Sequence, residues 1–485
     1  MAEKERVGLR VAKNSSVILS GKIISKLISL AAVICISDLL GSEGFGQFSF
    51  ILVYLGFFSI FSDLGLTTIM VRESSRDQNA MSHVMGSGLL LKIFLSISSL
   101  VLAIITALLF PPAHNILFVL FIGCIVILTY FSTGYEVPFR VNLRMLAPIS
   151  IDLGKNLIFA LTAVFLFFSE YRSSDLLLIL IIVWVVLSVL SSIILASASG
   201  KIVKSGFVVD KSMWAKLLKA GLPLGIASLA IMFYYRIDVF MLKGIKGDSA
   251  VGLYSSASRI SESFSLIPST LIASIFPLLS SYFQKEQDKF VETIRLSVRL
   301  MLVLGLPIGL GATVLRDEIY ALIYQPEYEP AASALVSLSW GEVFIFLNVI
   351  LYNVLAAMDK QRIGMFITLG MLAGNIILNS FLIPHYSYDG AAVATLATEI
   401  LGLVSLVFVL WRKYSIPVFP AKFFGILVAN GVLIGICIIC KSMPVLITIL
   451  IASLIYLGLI WILKVVTLEE LRISWKTRES DTSEI

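Results

Sequence analysis

Charge is scarce in this 485-residue chain. Asp, Glu, Lys and Arg make up 14% of it and hydrophobic residues 58%, whereas ordinary soluble domains carry roughly 25% charged residues. The deficit excludes a soluble globular fold and makes lipid the solvent. Histidine and cysteine are also few, at three and four. His83, His114 and His385 lie too far apart to suggest a metal site. Cys35, Cys124, Cys437 and Cys440 all sit in apolar runs, so neither disulfides nor an oxidising compartment is inferred. Cys437 and Cys440 form a C-x-x-C, but no second ligand pair accompanies it, and helix packing accounts for it. There is no Walker A loop, nucleophile elbow or dinucleotide glycine pattern. ATP hydrolysis or catalysis by this chain therefore has no sequence basis, and no cofactor or metal is called for. The first apolar stretch carries Lys22 and Lys26 and lacks a small-residue cleavage site, so it is expected to stay as a membrane helix.

What the chain has in abundance is apolar runs of about 20 residues, the length that crosses a bilayer. They fall near 15–37, 45–66, 84–110, 115–134, 149–169, 175–198, 217–243, 250–282, 294–314, 331–357, 363–383, 390–411, 422–440 and 444–464, which makes fourteen. With the N-terminus inside, the cytoplasmic connections hold 25 Lys and Arg residues. They run from Lys4, Arg6, Arg10 and Lys13 through Arg72, Arg76 and the series Lys201, Lys204, Lys211, Lys216 and Lys219 to Arg472, Lys476 and Arg478. The opposite side holds five: Arg172, Lys243, Lys246, Arg316 and Lys441. The positive-inside rule then places both termini in the cytoplasm and favours an even number of helices. Topology accounts for the formal charge of +6, so no nucleic-acid partner is implied.

Seven cations remain, and they lie inside the apolar runs: Lys22, Lys26, Lys92, Lys155, Arg236, Arg259 and Arg299. Facing lipid, each would cost about 2.5–3.5 kcal/mol, or on the order of 20 kcal/mol together. They are expected instead to line water, giving a cationic interior suited to an anionic substrate. A shift of 206 residues places Gly41 on Gly247, Gly46 on Gly252 and Phe48 on Tyr254, at the turn after the first helix of each half. Two parallel six-helix repeats follow, related by an axis along the membrane normal. The expected fold is an all-α polytopic membrane protein of about 14 helices. An N-terminal lobe over 1–200 and a C-terminal lobe over 201–414 are followed by two appended helices over 415–466 and a cytoplasmic tail over 467–485. Pro223, Pro268, Pro277 and Pro307 fall within spans and supply either hinges or static kinks.

Several stretches resemble a known family: Gly221-Leu-Pro-Leu-Gly225, Tyr234-Tyr-Arg-Ile-Asp238, Val251-Gly-Leu-Tyr254 and Ser258-Arg259. To these are added Gly44-Phe-Gly46, Asp63-Leu-Gly65 with Arg72-Glu73, Tyr328 before Ala331-Ala332, and Asp389-Gly-Ala-Ala392. In order and spacing they are similar to the polysaccharide transporter family. These are the O-antigen and exopolysaccharide repeat-unit flippases of the multidrug, oligosaccharidyl-lipid and polysaccharide exporter superfamily. The resemblance implies a flippase that moves a polyprenyl-pyrophosphate-linked oligosaccharide from the cytoplasmic to the outer leaflet of the cell membrane. Alternating access would pass the head group through a cationic central cavity. It implies a lipid-linked anionic oligosaccharide, membrane lipids and polysaccharide polymerase machinery as partners, with coupling to an ion gradient. A peptidoglycan-precursor lipid flippase and a cation-coupled multidrug exporter are the alternatives. Buried positive charge fits the second poorly, because many drugs are cations. An integral-membrane polymerase or glycosyltransferase is a further class, with Asp317, Glu318, Glu327 and Glu329 as its only loop of candidate acids.

For the pyrophosphate the candidates are Arg259, Lys26, Arg236 and Lys22, in that order, because guanidinium grips phosphate at two points and ammonium at one. Lys22 and Lys26 share a helix face, and Ser255, Arg259, Glu262 and Ser269 form a second polar stripe. The same residues admit a structural reading. Arg236, Arg259 and Lys155 can pair with Asp238, Glu262 and Asp152, and Lys22, Lys92 and Arg299 can snorkel to the surface. Ion coupling requires a carboxylate in the membrane, for which Glu342, Glu399, Asp63, Glu262 and Asp238 are candidates, with Asp152 beside them.

Overall fold

The computed structural model describes residues 2–77, 79–109, 114–169, 173, 175–203, 207–420, 422–467 and 470. Arg172, Lys204, Arg472, Lys476, Arg478 and the expected tail, apart from Thr467 and Glu470, lie outside them. The described residues contain helices and no strand. By its contacts the chain divides into two compact units, Met1–Lys243 and Gly244–Ile485.

The first unit contains α1 (Ala2–Asp63), α2 (Leu66–Arg76), α3 (Met81–Leu109), α4 (His114–Thr129), α5 (Val137–Val141), α6 (Leu146–Phe168) and α7 (Leu176–Gly200). It also holds most of α8 (Met213–Lys246). The second unit contains α9 (Asp248–Ser261), α10 (Leu266–Lys285), α11 (Gln287–Ile323), α12 (Ala332–Ala357), α13 (Gln361–Tyr414), α14 (Phe423–Ile439) and α15 (Val445–Ile462). Eleven helical stretches among the described residues are long and apolar enough to cross a membrane, and α14 is a shorter apolar helix. Three of the long helices are interrupted, α1 at Gly41, α11 at Leu315 and α13 at Ser387. The 62-residue α1 and the 54-residue α13 are each long enough for two crossings end to end, an arrangement compatible with fourteen.

The break at Gly41 has a backbone reason. Gly41 sits at φ 65°, ψ 178°, a region closed to residues with a Cβ. Gly247, its counterpart under the 206-residue shift, sits at φ 85°, ψ −168° before α9. Both positions thus use the same glycine-only conformation to turn the chain. The contact division falls at Lys243, whereas the repeat expected from the sequence sets its boundary near residue 200, and the repeat-based lobes stand as a proposal.

Within the first unit, α8 crosses the turn between α1 and α2 at very short range. A Cβ on Gly225 would lie 2.7 Å from the Leu64 Cα, and one on Gly221 2.9 Å from the Leu64 carbonyl oxygen. The sequence Gly221-Leu-Pro-Leu-Gly225 therefore gives α8 a smooth face where Asp63-Leu-Gly65 must pass.

Within the second unit, α11 is clasped on two faces. Gly305 and Gly309 face Val343, Phe346 and Trp340 of α12. On the other side a core of Val303, Ile426, Ala429, Leu433, Ala452 and Tyr456 joins α11 to α14 and α15. The Tyr456 hydroxyl donates to the Val303 carbonyl at 2.8 Å, and Lys441 pairs with Glu318 at 3.3 Å. Beyond α15, Thr467 and Glu470 form a reciprocal capping box, with N–H to side-chain bonds of 3.0 and 3.3 Å. Glu470 also meets Arg299 at 2.8 Å and Lys422 at 3.4 Å. Arg299 does not snorkel, then: it is 6% exposed and turns toward this carboxylate.

Burial works against the ionised form of Glu470, but the Thr467 N–H, Arg299 and Lys422 outweigh it and hold its carboxyl below the usual range. A depressed carboxylate stabilises the fold above its unfolded pKa, about 4.3 for Glu, and loses that contribution as pH falls through the lower folded value. Glu470→Gln is expected to lower stability by about 1 kcal/mol or less at pH 7, given partial exposure. Thermal unfolding of the two proteins should converge as pH drops below about 4.

Candidate functional site

Where α1 ends, Asp63 organises a buried polar junction. Its carboxylate accepts from the Thr67 N–H at 3.3 Å and from the Thr67 hydroxyl, which fixes the first turn of α2. Lys92, from α3, reaches in with its Nζ 2.5 Å from Asp63 and 2.7 Å from the Thr67 Oγ1, and bonds Thr133 as well. The lysine is 0% exposed. This overturns the expectation that Lys92 snorkels. Its ammonium is enclosed, with all three donors engaged, so it serves the fold of the first unit rather than an open surface. Asp63, a candidate for ion coupling, is the counter-ion that makes this burial tolerable.

At the far end of α2, Glu73 gathers cations. Lys216 of α8 lies 2.9 Å from its carboxylate, Arg72 3.1 Å and Arg76 3.6 Å. Glu73 thus ties α2 to the start of α8 through Lys216, with Arg72 and Arg76 beside it on its own helix.

The other membrane cations lie on α1, α6, α8 and α9. Lys155 pairs with Asp152 at 3.0 Å along α6, and Asn156 beside them donates to Ser25 of α1 at 2.7 Å. Lys22 and Lys26 lie one turn apart on α1, the first exposed and the second half-buried. Arg236 on α8 is half-buried, while Asp238, two residues on, is 3% exposed. Arg259, in the second unit, is half-buried in the last turn of α9, and Glu262 opens the 3₁₀ turn that follows. Lys26, Arg236, Asp238, Arg259 and Glu262 all have polar or electrostatic partners.

Two acids of the second unit lie deep in its helices. Glu399 on α13 is 2% exposed and accepts from the Asn348 side-chain amide of α12 at 2.7 Å. Glu342, one and a half turns earlier on α12, is 5% exposed. Elsewhere on α13, Asn375 and Asn379 form a buried hydrogen-bonded pair at 2.9 Å. Sequence reasoning paired neither Glu399 with Asn348 nor Lys92 with Asp63. The partners are 51 and 29 residues apart, beyond any helical periodicity.

Long apolar helices, charges buried in pairs and glycine-lined crossings define a multi-pass α-helical membrane protein. Residues 11–283 match the family described as "Polysaccharide biosynthesis protein", and residues 223–381 match MatE. The first match covers more than half of the chain, which belongs to that family. "Probable flippase AglR" of Haloferax volcanii is 33% identical over 183 residues, 36% of this chain and 38% of that protein. The chain therefore spans a little over a third of the length of that relative. "Putative O-antigen transporter" of Shigella flexneri is 23% identical over 84% of this chain and 99% of its own. The solved structure of "Lipid II flippase MurJ, inward closed conformation" superposes with a TM-score of 0.74 at 17% identity, covering 91% of this chain and 97% of that one. That likeness establishes a shared fold.

Lys92→Met, which leaves Asp63 without its counter-ion, is expected to destabilise the protein by about 3–5 kcal/mol. Asp63→Leu combined with Lys92→Met should cost clearly less, since both charges leave together. Membrane abundance and thermal unfolding in detergent measure both.

Proposed function

We propose that this chain is a flippase that carries a polyprenyl-pyrophosphate-linked oligosaccharide from the cytoplasmic to the outer leaflet by alternating access. The observation that carries the reading is that four cations, Lys22, Lys26, Arg236 and Arg259, keep accessible surface on membrane-spanning helices. An accessible guanidinium or ammonium inside a membrane protein is stable when it meets water or an anion. A diphosphate is an anion for which Arg259 and Arg236 have the donor geometry and Lys26 and Lys22 the charge. Support also comes from the relatives named as flippase and O-antigen transporter and from the family itself.

In this reading the substrate-binding residues are Arg259, Lys26, Arg236 and Lys22, and the chain is a transporter rather than an enzyme. The membrane is the cell membrane and both termini are cytoplasmic, as the distribution of Lys and Arg between connections favours. An ion gradient drives the cycle through one of Glu342, Glu399, Asp63, Glu262 and Asp238. Of these, Glu342 and Glu399 lie deepest in the second unit, at 5% and 2% exposure. The product at the outer leaflet is handed to polysaccharide polymerase machinery.

Deleting the gene in its native host is expected to cause accumulation of one polyprenyl-diphosphate glycan, read by mass spectrometry. Plasmid-borne wild type should clear it, while Arg259→Gln and Lys26→Gln should reduce clearance about tenfold, as loss of a charge-assisted contact of 1.5 kcal/mol would. Clearance by all three proteins alike would reject the site, and absence of accumulation in a host with no second flippase gene would reject the function.

A further inference from the structure

The two C-terminal helices have no task in the flippase reading, yet they are attached to one helix with care. Arg299 meets Glu470, Val303 meets Tyr456, and Glu318 meets Lys441. From residue 299 to residue 318, at 1.5 Å per residue, these contacts span about 28 Å of α11, close to the thickness of a bilayer core.

The middle contact has a specific cause. Pro307 lies inside α11 and has no N–H, so the carbonyl of Val303, four residues earlier, has no donor within the helix. Val303 is 5% exposed, and water cannot serve it there. The Tyr456 hydroxyl supplies the missing donor at 2.8 Å. The appended pair is thus keyed to the position on α11 that requires a donor from outside the helix.

We propose that Tyr456 is a positioning residue for transport: it closes the proline gap of α11 so that α11, α14 and α15 move as one body through the transport cycle. The transport part rests on the flippase reading; the hydrogen bond does not.

Full-length wild type, Tyr456→Phe, Pro307→Ala and the double variant are compared, purified in detergent and also expressed in the deletion strain. Tyr456→Phe is expected to lower the melting temperature by about 2–4 °C. In Pro307→Ala, where residue 307 offers its own N–H to Val303, the same substitution should cost less than about 1 °C. The initial rate of glycan appearance at the outer surface, per molecule of flippase, should fall roughly fivefold in Tyr456→Phe. In the Pro307→Ala background that substitution should leave the rate unchanged. If Tyr456→Phe fails to accumulate, adding Pro307→Ala must restore accumulation. Equal losses in both backgrounds overturn the proposal, and a melting shift without a change in rate overturns the positioning role. If wild type itself restores no glycan, the flippase reading fails and the positioning role with it, while the melting series still reports on the hydrogen bond.

Discussion

An ammonium or guanidinium inside a bilayer-spanning helix is tolerable beside a counter-ion or in water, and two buried counter-ion pairs, one in each unit, organise the packing within that unit. In the first unit the enclosed choice is made at Lys92, whose partner Asp63 also caps α2 through Thr67. In the second it is made at Arg299, whose partner Glu470 also accepts from the Thr467 N–H. Each carboxylate therefore does two jobs, neutralising a buried cation and holding a backbone N–H. The charges that remain accessible then stand out as candidates for the substrate.

The same residues explain why certain short motifs stand where they do. Asp63, Leu64 and Gly65 form a turn that α8 crosses with the backbone of Gly221 and Gly225 almost against Leu64. Two sequence signatures more than 150 residues apart are thus the two sides of one crossing, and the pair of Glu73 and Lys216 ties α2 to α8 farther along. A larger residue at the crossing would push α8 off the backbone of Leu64, the residue next to Asp63. Packing and electrostatics in the first unit are in that sense one feature.

Much of the architecture was legible in the sequence because lipid solvation writes itself into length and composition. The apolar runs mark the helices, and Gly41 and Gly247 mark equivalent turns with equivalent backbone angles. Other features left no local trace. Lys92 looked like a snorkelling lysine because it stands near a helix end, and nothing in the spacing ties it to an aspartate 29 residues away. Tyr456 and Val303 are 153 residues apart, and although Pro307 announces a stranded carbonyl, it does not say which side chain will answer it. Glu399 accepts from the amide of Asn348, 51 residues away on another helix. Helical periodicity reports a face and never the neighbour across it.

The central claim is that the accessible cations line water rather than lipid. It is tested most directly by thiol labelling of intact, full-length protein in membranes after replacement of Cys35, Cys124, Cys437 and Cys440. Lys26→Cys, Arg236→Cys and Arg259→Cys would be compared with Leu161→Cys, whose side chain is 57% exposed on an apolar helix face. The account predicts that a charged, membrane-impermeant reagent modifies the three former cationic positions and spares residue 161. Protection of all three to the same degree as residue 161 would place them against lipid and contradict it.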